Sequence, residues 1–367
     1  MKVVIAAGGT AGHVFPALAL ARRLVEDRGA DVVFAGTPAG QESRLVPAAG
    51  FRLEAVESAP FVRKVSARNL RAPVVVLRSV GRASALVADA DVVVGMGGYV
   101  CVPVAVAALR ARRPLVLHEQ NAVPGLANRL LSRPARTVAL SFGEAARLLS
   151  RRVRTVLTGN PVRAPILSVR SDHDALRKQA LATFGFDPDR RTLLVFGGSQ
   201  GALHVNGAVV DAVALMRDRA DLQVLLLTGP AHHDAVAASL RGISDVDVRT
   251  LPFLERMELA YAAADLVVSR AGATTVAELT VCGLPSILVP YPYATGRHQE
   301  ANAKALQRAG AATVVMDGAL SGAMVSRRVC ELLDAPERLG AMRERAAAWS
   351  HPDADRRLAD VVAEAAR

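Results

Sequence analysis

Three short stretches of this chain place small residues and hydrogen-bonding side chains where a strand gives way to a helix. Gly8-Gly9-Thr10-Ala11-Gly12-His13 lies between KVVI and ALALARRL, Gly197-Gly198-Ser199-Gln200-Gly201 follows TLLVF, and Ser269-Arg270-Ala271-Gly272-Ala273-Thr274-Thr275-Val276-Ala277-Glu278 follows DLVV. Glycine lets backbone N–H groups crowd a ligand, and a helix start carries unpaired donors and partial positive charge, so such turns suit an anion or a polar sugar. Ser199 adds a hydroxyl donor to its row of amides. Glu278 has the chemistry to accept hydrogen bonds from two adjacent ribose hydroxyls without a metal, or to complement the dipole of its helix. His13 reads either as a group facing a ligand or as a cap on the helix start.

Two further clusters are polar at strand or helix ends. His118-Glu119-Gln120-Asn121, followed by Pro124-Gly125, ends the strand-like PLVL; a strand end loaded this way faces a site, or Glu119 and Asn121 cap the ANRLL helix. In His298-Gln299-Glu300-Ala301-Asn302, the spacing puts Gln299 and Asn302 on one helix face, where amides suit sugar hydroxyls. The first loop lacks the GK[ST] ending of a P-loop, and the second strand, DVVFAGTP, ends without the acid a dinucleotide fingerprint needs. Nucleotide hydrolysis and nicotinamide binding therefore have little support.

The elements positioning these loops alternate throughout. KVVIAA, DVVFAG, DVVVGM, PLVLHE and RTVAL read as strands in the first half, and TLLVFGG, LQVLLLTG, DVRTLPF, DLVVSR and PSILVPY in the second, each followed by an Ala/Leu/Arg helical pattern. This predicts an α/β chain of two Rossmann-like doubly wound parallel-sheet domains, with a linker at residues 158–165, where Gly159, Pro161 and Pro165 break the periodicity. Ligands bind outside the carboxyl ends of such strands, so the Gly-rich loops are expected to meet in a cleft between the domains.

At 367 residues, 51% hydrophobic and 22% charged, the chain can bury two full cores, and its 4% aromatic content points to cores of Val, Leu and Ala. A net charge of +11 implies an anionic partner. No recognition helix, zinc spacing or stacking motif accompanies the arginines, which argues against nucleic acid. Cys101, Cys282 and Cys330 lack CxxC spacing, so a reducing cytoplasm is expected, and no secretory leader is apparent. The uncharged run Val92 to Leu109 is broken by glycines and Pro103 into strand, turn and helix, which predicts no transmembrane helix. Between Pro60 and Arg82, Phe61, Val62, Leu70 and the Val74 to Leu77 run are interleaved with Arg63, Lys64, Arg68, Arg71, Arg78 and Arg82. Apolar groups ringed by cations match a surface that dips into anionic lipid, or a core helix with a basic outer face.

Taken in order, GGTAGHVFPALALA, VVGMGGYV, LHEQNAVPGLANRLL, GNPVR, GGSQGA, LPF with YAAADLVVSRAGATTVAEL, and RHQEANA resemble the UDP-N-acetylglucosamine:lipid I N-acetylglucosaminyltransferases of peptidoglycan synthesis over nearly the whole chain. The resemblance implies the GT-B fold, with residues 1–160 as acceptor and membrane-docking domain, 161–345 as UDP-sugar domain, and a 346–367 helix packing back on the first. It implies that Leu254 presents backbone groups to uracil, that Glu278 holds the ribose, and that Ser199, Ala273 and Thr274, continuing through Thr275, Val276 and Ala277, meet the diphosphate. Arg163 supplies positive charge, Asn121 and Gln299 read sugar hydroxyls, and Thr10, Ala11 and Gly12 line the first-domain side.

The implied reaction is a single in-line displacement in which the acceptor C4 hydroxyl attacks the anomeric carbon and UDP departs, with amide donors and helix dipoles in place of a metal and no cofactor. His13 is the candidate base, with Glu119 serving or assisting. The membrane-docking set is Phe61, Val62, Arg63, Lys64, Arg68, Leu70 and Arg71. Implied partners are UDP-N-acetylglucosamine, lipid I, anionic inner-leaflet lipids and other cell-wall synthesis proteins, at the cytoplasmic face of the membrane. Ala11 stands where many members carry glycine, and YPYATGRHQ is about one residue longer than in some relatives. Competing readings are a UDP-sugar 2-epimerase, a transferase for another glycolipid or antibiotic scaffold, and a non-catalytic nucleotide-sugar sensor.

Overall fold

The computed structural model describes residues 1–56, 72–198, 201–242 and 246–367, with the backbone alone for 72–77. The chain divides into two units, Met1–Arg163 together with His351–Arg367, and Ala164–Ser350.

The first unit runs β1 (Lys2–Ala6), α1 (Ala11–Arg28), β2 (Asp31–Gly36), α2 (Glu42–Ala48), β3 (Arg52–Ala55), α3 (Ala72–Val87), β4 (Val92–Gly95), α4 (Cys101–Arg110), β5 (Leu115–Glu119), α5 (Leu126–Leu131), β6 (Thr137–Leu140) and β7 (Thr155–Leu157). Among the described residues these strands form one seven-stranded sheet, ordered β3-β2-β1-β4-β5-β6-β7 and parallel throughout. Val3, Val4 and Ile5 of β1 are fully buried, as helices covering both faces require of a central parallel strand.

The second unit runs α6 (Ala164–Ser171), α7 (His173–Phe184), β8 (Arg191–Phe196), α8 (Leu203–Leu215), β9 (Leu222–Leu227), α9 (His233–Ser239), β10 (Asp247–Leu251), α10 (Met257–Ala263), β11 (Leu266–Ser269), α11 (Ala273–Val281), β12 (Ser286–Leu288), α12 (His298–Arg308), β13 (Ala312–Val314), α13 (Gly322–Leu333) and α14 (Pro336–Trp349). Its parallel sheet is ordered β10-β9-β8-β11-β12-β13. The last helix, α15 (Ala354–Ala365), belongs to the first unit, where Leu358, Ala359 and Val362 share a core with Val3, Ile5, Leu20 and Leu24. Arg23 of α1 holds Asp355 of α15 at 3.0 Å.

Strand order reverses direction between β1 and β4 in the first sheet, and between β8 and β11 in the second. Loops leaving the carboxyl ends of adjacent strands at such a point run to opposite faces and leave a crevice open to ligand. Three Gly-rich motifs sit there: Gly8 to Gly12 after β1, Gly197 to Gly201 after β8, and Ser269 to Gly272 after β11.

The uncharged run from Val92 becomes β4, a turn and α4. No helix among the described residues is long and apolar enough to cross a membrane. The docking residues Phe61, Val62, Arg63, Lys64, Arg68, Leu70 and Arg71, and the diphosphate candidate Ser199, lie outside the described residues.

Candidate functional site

In the first unit, the loop after β1 turns on Gly9, whose φ of +90° is a left-handed conformation that a glycine adopts without strain. Ala11 opens α1 with ordinary backbone angles, so alanine in the family's glycine position fits the turn. Thr10, at the N-cap, places its hydroxyl 3.1 Å from His13 Nδ1, which fixes the imidazole against the first turn of α1. The other edge of that ring lies on Gly97, where an added Cβ would come within 2.5 Å of His13 Cδ2 and 2.9 Å of Nε2. Gly98 is constrained as tightly, since a side chain there would strike the carbonyl oxygen of Gly8. Cys101 staples these loops, with its sulfur 3.1 Å from Ala6 O and 2.9 Å from Gly97 O. Burial pushes the thiol up to about 12, so it is no nucleophile at neutral pH.

The HEQN stretch ends β5. Glu119 is 3% exposed, and its two oxygens accept from Asn121 N at 2.9 Å, Gly125 N at 3.0 Å, Asn128 Nδ2 at 2.8 Å and Asn121 Nδ2 at 3.4 Å. Burial pushes its acidity toward the neutral form, and these donors oppose that shift. Four donors on a carboxylate hidden from solvent make Glu119 the organiser of the loop carrying Asn121 and of the start of α5. Arg163 lays its guanidinium over the Phe15 ring, 4.3 Å from the centroid and two residues along α1 from His13.

His118 is fully buried, with Nε2 3.1 Å from Gly159 O and 3.3 Å from Ser141 Oγ. Burial first, and to a lesser degree the charge of His13, pulls it from 6.5 down to about 4. The unfolded chain therefore binds this proton more readily than the folded one between those values, so stability falls as pH drops through that window. The full shift corresponds to roughly 3 kcal/mol. Urea unfolding at pH 7 and pH 5 should show His118→Gln with a shallower loss on acidification than wild type; equal slopes would remove His118 as the source.

In the second unit, the loop after β8 turns on Gly198, with φ +105°, and on Gly201, where a Cβ would strike the carbonyl of Thr228. The loop after β11 is held from behind. Gln299 Oε1 accepts from Ala271 N at 3.2 Å and Tyr291 N at 3.0 Å, and Asn302 Nδ2 donates to Ala271 O at 3.1 Å. The two amides do share a helix face, but the buried Asn302 props the loop from beneath and only the amide donors of Gln299 remain for a sugar hydroxyl. Arg270, 8% exposed, meets Asp317, whose other oxygen lies 3.0 Å from His204 Nδ1. Burial opposes ionisation of Asp317, but these two partners hold its carboxyl below the usual range.

Helix α11 carries Ala273 to Glu278, part of the expected donor set. Ala273 to Ala277 form its first turns, with Thr274, Thr275 and Ala277 half-buried. Val276 is fully buried, so its side chain belongs to the core and only its backbone could meet a ligand. Glu278 is 7% exposed and accepts from Tyr261 OH at 2.8 Å, an orientation imposed from α10. Leu254, in the loop between β10 and α10, is half-buried.

Sequence reasoning missed Glu42, Tyr261, and the link from Arg270 through Asp317 to His204. Each partner lies on a different element, and nothing in local spacing pairs them.

Comparison with known proteins agrees with this architecture. The model described as glycosyltransferase family 28 N-terminal domain matches residues 3–140, and the family 28 C-terminal domain matches residues 192–358. A protein of Moorella thermoacetica named UDP-N-acetylglucosamine–N-acetylmuramyl-(pentapeptide) pyrophosphoryl-undecaprenol N-acetylglucosamine transferase is 42% identical over 370 residues, 99% of this chain and 98% of that one. The crystal structure of Acinetobacter baumannii MurG superposes with a TM-score of 0.79 at 30% identity, covering 99% of both chains. A UDP-GlcNAc 2-epimerase of Neisseria meningitidis, at 12% identity and TM-score 0.71 over 99% of this chain and all of that one, shares the fold alone. The two sheets are those of the GT-B fold, and the chain belongs to glycosyltransferase family 28, within the family of the UDP-N-acetylglucosamine–N-acetylmuramyl-(pentapeptide) pyrophosphoryl-undecaprenol N-acetylglucosamine transferases.

Proposed function

We propose that the chain transfers N-acetylglucosamine from UDP-N-acetylglucosamine to the C4 hydroxyl of the N-acetylmuramyl residue of lipid I, inverting the anomeric carbon and forming the β-1,4 bond of lipid II. One observation carries the division of labour. The first unit's Gly-rich loop already hosts a carboxylate, because Gly9 N donates to Glu42 Oε2 at 3.0 Å. An incoming diphosphate would meet a buried negative charge there. Among the described residues, no side-chain carboxylate accepts from the amides of Gly197 or Gly198, Gly201 N donates to the Gly198 carbonyl at 2.9 Å, and the buried Arg270, paired with Asp317, lies one strand away. This supports placing the nucleotide in the second unit; the acceptor's neutral C4 hydroxyl, rather than its pyrophosphate, is the group assigned to the first unit's loop.

In this reading, the second unit, Ala164–Ser350, binds the donor, Met1–Arg163 binds the acceptor, and His351–Arg367, shorter than the 346–367 segment expected from sequence, completes the first domain. Glu278 holds the ribose diol, Leu254 offers backbone groups to uracil, and Ser199 and Ala273 to Ala277 receive the diphosphate. Backbone donors at the start of α11 stabilise charge growing on the leaving UDP. Gln299 and Asn121 orient the sugar, Thr10, Ala11 and Gly12 shape the acceptor side, and Arg163 adds positive charge at the first turn of α1. His13 takes the C4 proton, and Glu119 assists by shaping the Asn121 loop. The protein would work peripherally at the cytoplasmic face of the membrane, with the basic apolar segment around Phe61 to Arg71 on anionic lipid.

The test is UDP release from UDP-N-acetylglucosamine by purified protein, with and without a short-chain lipid I analogue, with the product followed by mass. UDP release coupled to a disaccharide product is expected. Donor binding without disaccharide under every lipid condition would overturn the acceptor assignment, and conversion of the free UDP-sugar to its 2-epimer would favour the epimerase reading.

A further inference from the structure

Glu42 is the first residue of α2, yet its side chain is 0% exposed and turned away from solvent. Its Oε1 accepts from Thr37 N at 2.8 Å and Thr37 Oγ1 at 2.6 Å, and its Oε2 accepts from Gly9 N at 3.0 Å. One carboxylate thus ties the end of β2 to the loop after β1. Three glycines make room for it. A Cβ at Gly8 would lie 2.6 Å from Glu42 Oε1, one at Gly36 would lie 2.5 Å from Cγ, and one at Gly40 would strike both carboxylate oxygens. None of the three has a positive φ, so their requirement is for space rather than backbone freedom. The loop that Glu42 grips runs from Gly9 straight into Thr10, whose hydroxyl sets the His13 ring.

We propose that Glu42 is a positioning residue for the transfer step, fixing the Gly9 amide and through it the Thr10–His13 turn in the geometry that takes the acceptor proton. The inference rests on the transferase reading above. A loop held only by backbone contacts would let the imidazole drift, and misplacement of a base by an ångström lowers turnover without touching donor affinity. Glutamine has the shape of glutamate but one acceptor oxygen, so in Glu42→Gln an NH2 group faces either Gly9 N–H or Thr37 N–H, and the glycine cradle leaves it nowhere to move.

The experiment compares wild type, Glu42→Gln, Thr37→Val and Thr37→Ser, with kcat expressed per site titrated by UDP. Counting sites in the second unit corrects for chains that fail to fold altogether, and amide hydrogen exchange in β1 and α1 reports whether the first unit keeps its fold. Glu42→Gln is expected to lower kcat at least tenfold while KM for UDP-N-acetylglucosamine stays within twofold. Thr37→Val should lose several-fold in kcat with the same unchanged donor KM, and Thr37→Ser, which keeps the hydroxyl, should recover wild-type turnover. If Glu42→Gln yields no titratable sites, the Thr37 pair decides. Wild-type kcat per site in both Glu42→Gln and Thr37→Val, whatever their melting temperatures, would show a merely structural role and overturn the inference alone. A wild-type protein that binds UDP yet forms no disaccharide would remove the transferase reading, and this inference with it.

Discussion

Replacing His13 by alanine is expected to lower kcat for sugar transfer by roughly 10²–10⁴-fold, the range over which a positioned general base acts. The argument starts from the hydroxyl, which is a poor nucleophile until its proton has somewhere to go. Among the described side chains at the first switch point, His13 has the right chemistry and a fixed ring. Thr10 Oγ1 lies on Nδ1 at 3.1 Å, and Gly97 backs the opposite edge. If Thr10 accepts from Nδ1–H, the neutral imidazole carries its lone pair on Nε2, the nitrogen that would then take the proton. Glu119 is the alternative, but its oxygens already serve four donors and it is 3% exposed. Steady-state kinetics and UDP calorimetry check this together. His13→Ala should bind UDP as wild type does, because the proposed donor groups lie in the second unit. Retention of more than a third of wild-type kcat would move the proton to another acceptor. Thr10→Val, which frees the ring without removing it, should lose turnover by a smaller factor in the same direction.

The central parallel strands were legible because burial on both faces demands continuous Val, Leu and Ile, and every segment marked as a strand became one, although the Val74 to Leu77 run lies in helix α3. The segments not marked as strands were β3, β7 and β13, all at sheet edges. RLEA, TVL and ATV are short and only partly buried, so little in their composition separates them from loop. The site was legible as loops rather than as contacts. Glycine at a strand end announces a close approach, but not what approaches. Gly8 reads as room for a ligand and proves to be room for Glu42, whose own position at the start of a helix reads as ordinary dipole chemistry. Gln299 and Asn302 read as sugar-facing amides, yet three of their bonds go to the backbone around Ala271 and Tyr291. Arg163 reads as a phosphate partner, and its guanidinium rests on Phe15. Pairings across long sequence separation need the fold before they can be seen.

Glu278→Ala is expected to raise KM for UDP-N-acetylglucosamine, and to weaken UDP itself, by roughly 10²–10⁴-fold. A hydrogen bond to a charged group contributes about 1.5–3 kcal/mol, and a carboxylate bridging the two ribose hydroxyls makes two of them. The orientation is already imposed in the free protein, because Tyr261 OH donates to Glu278 Oε2 at 2.8 Å and Tyr261 itself is 1% exposed against Phe196. Little ordering of the carboxylate is left to occur on binding, which is why its removal should appear almost wholly in affinity. Tyr261→Phe keeps the carboxylate and loses the hydroxyl that aims it, so it should cost less, about tenfold. The cleanest measurement is a cycle of wild type and Glu278→Ala against UDP and 2′-deoxy-UDP by calorimetry. Wild type should discriminate strongly between the two ligands, whereas the variant should bind both weakly and nearly equally, because the partner of the missing hydroxyl is gone. Equal discrimination by both proteins would show that the ribose is read elsewhere, and UDP affinity within twofold of wild type in Glu278→Ala would return Glu278 to its plain role as the partner of Tyr261.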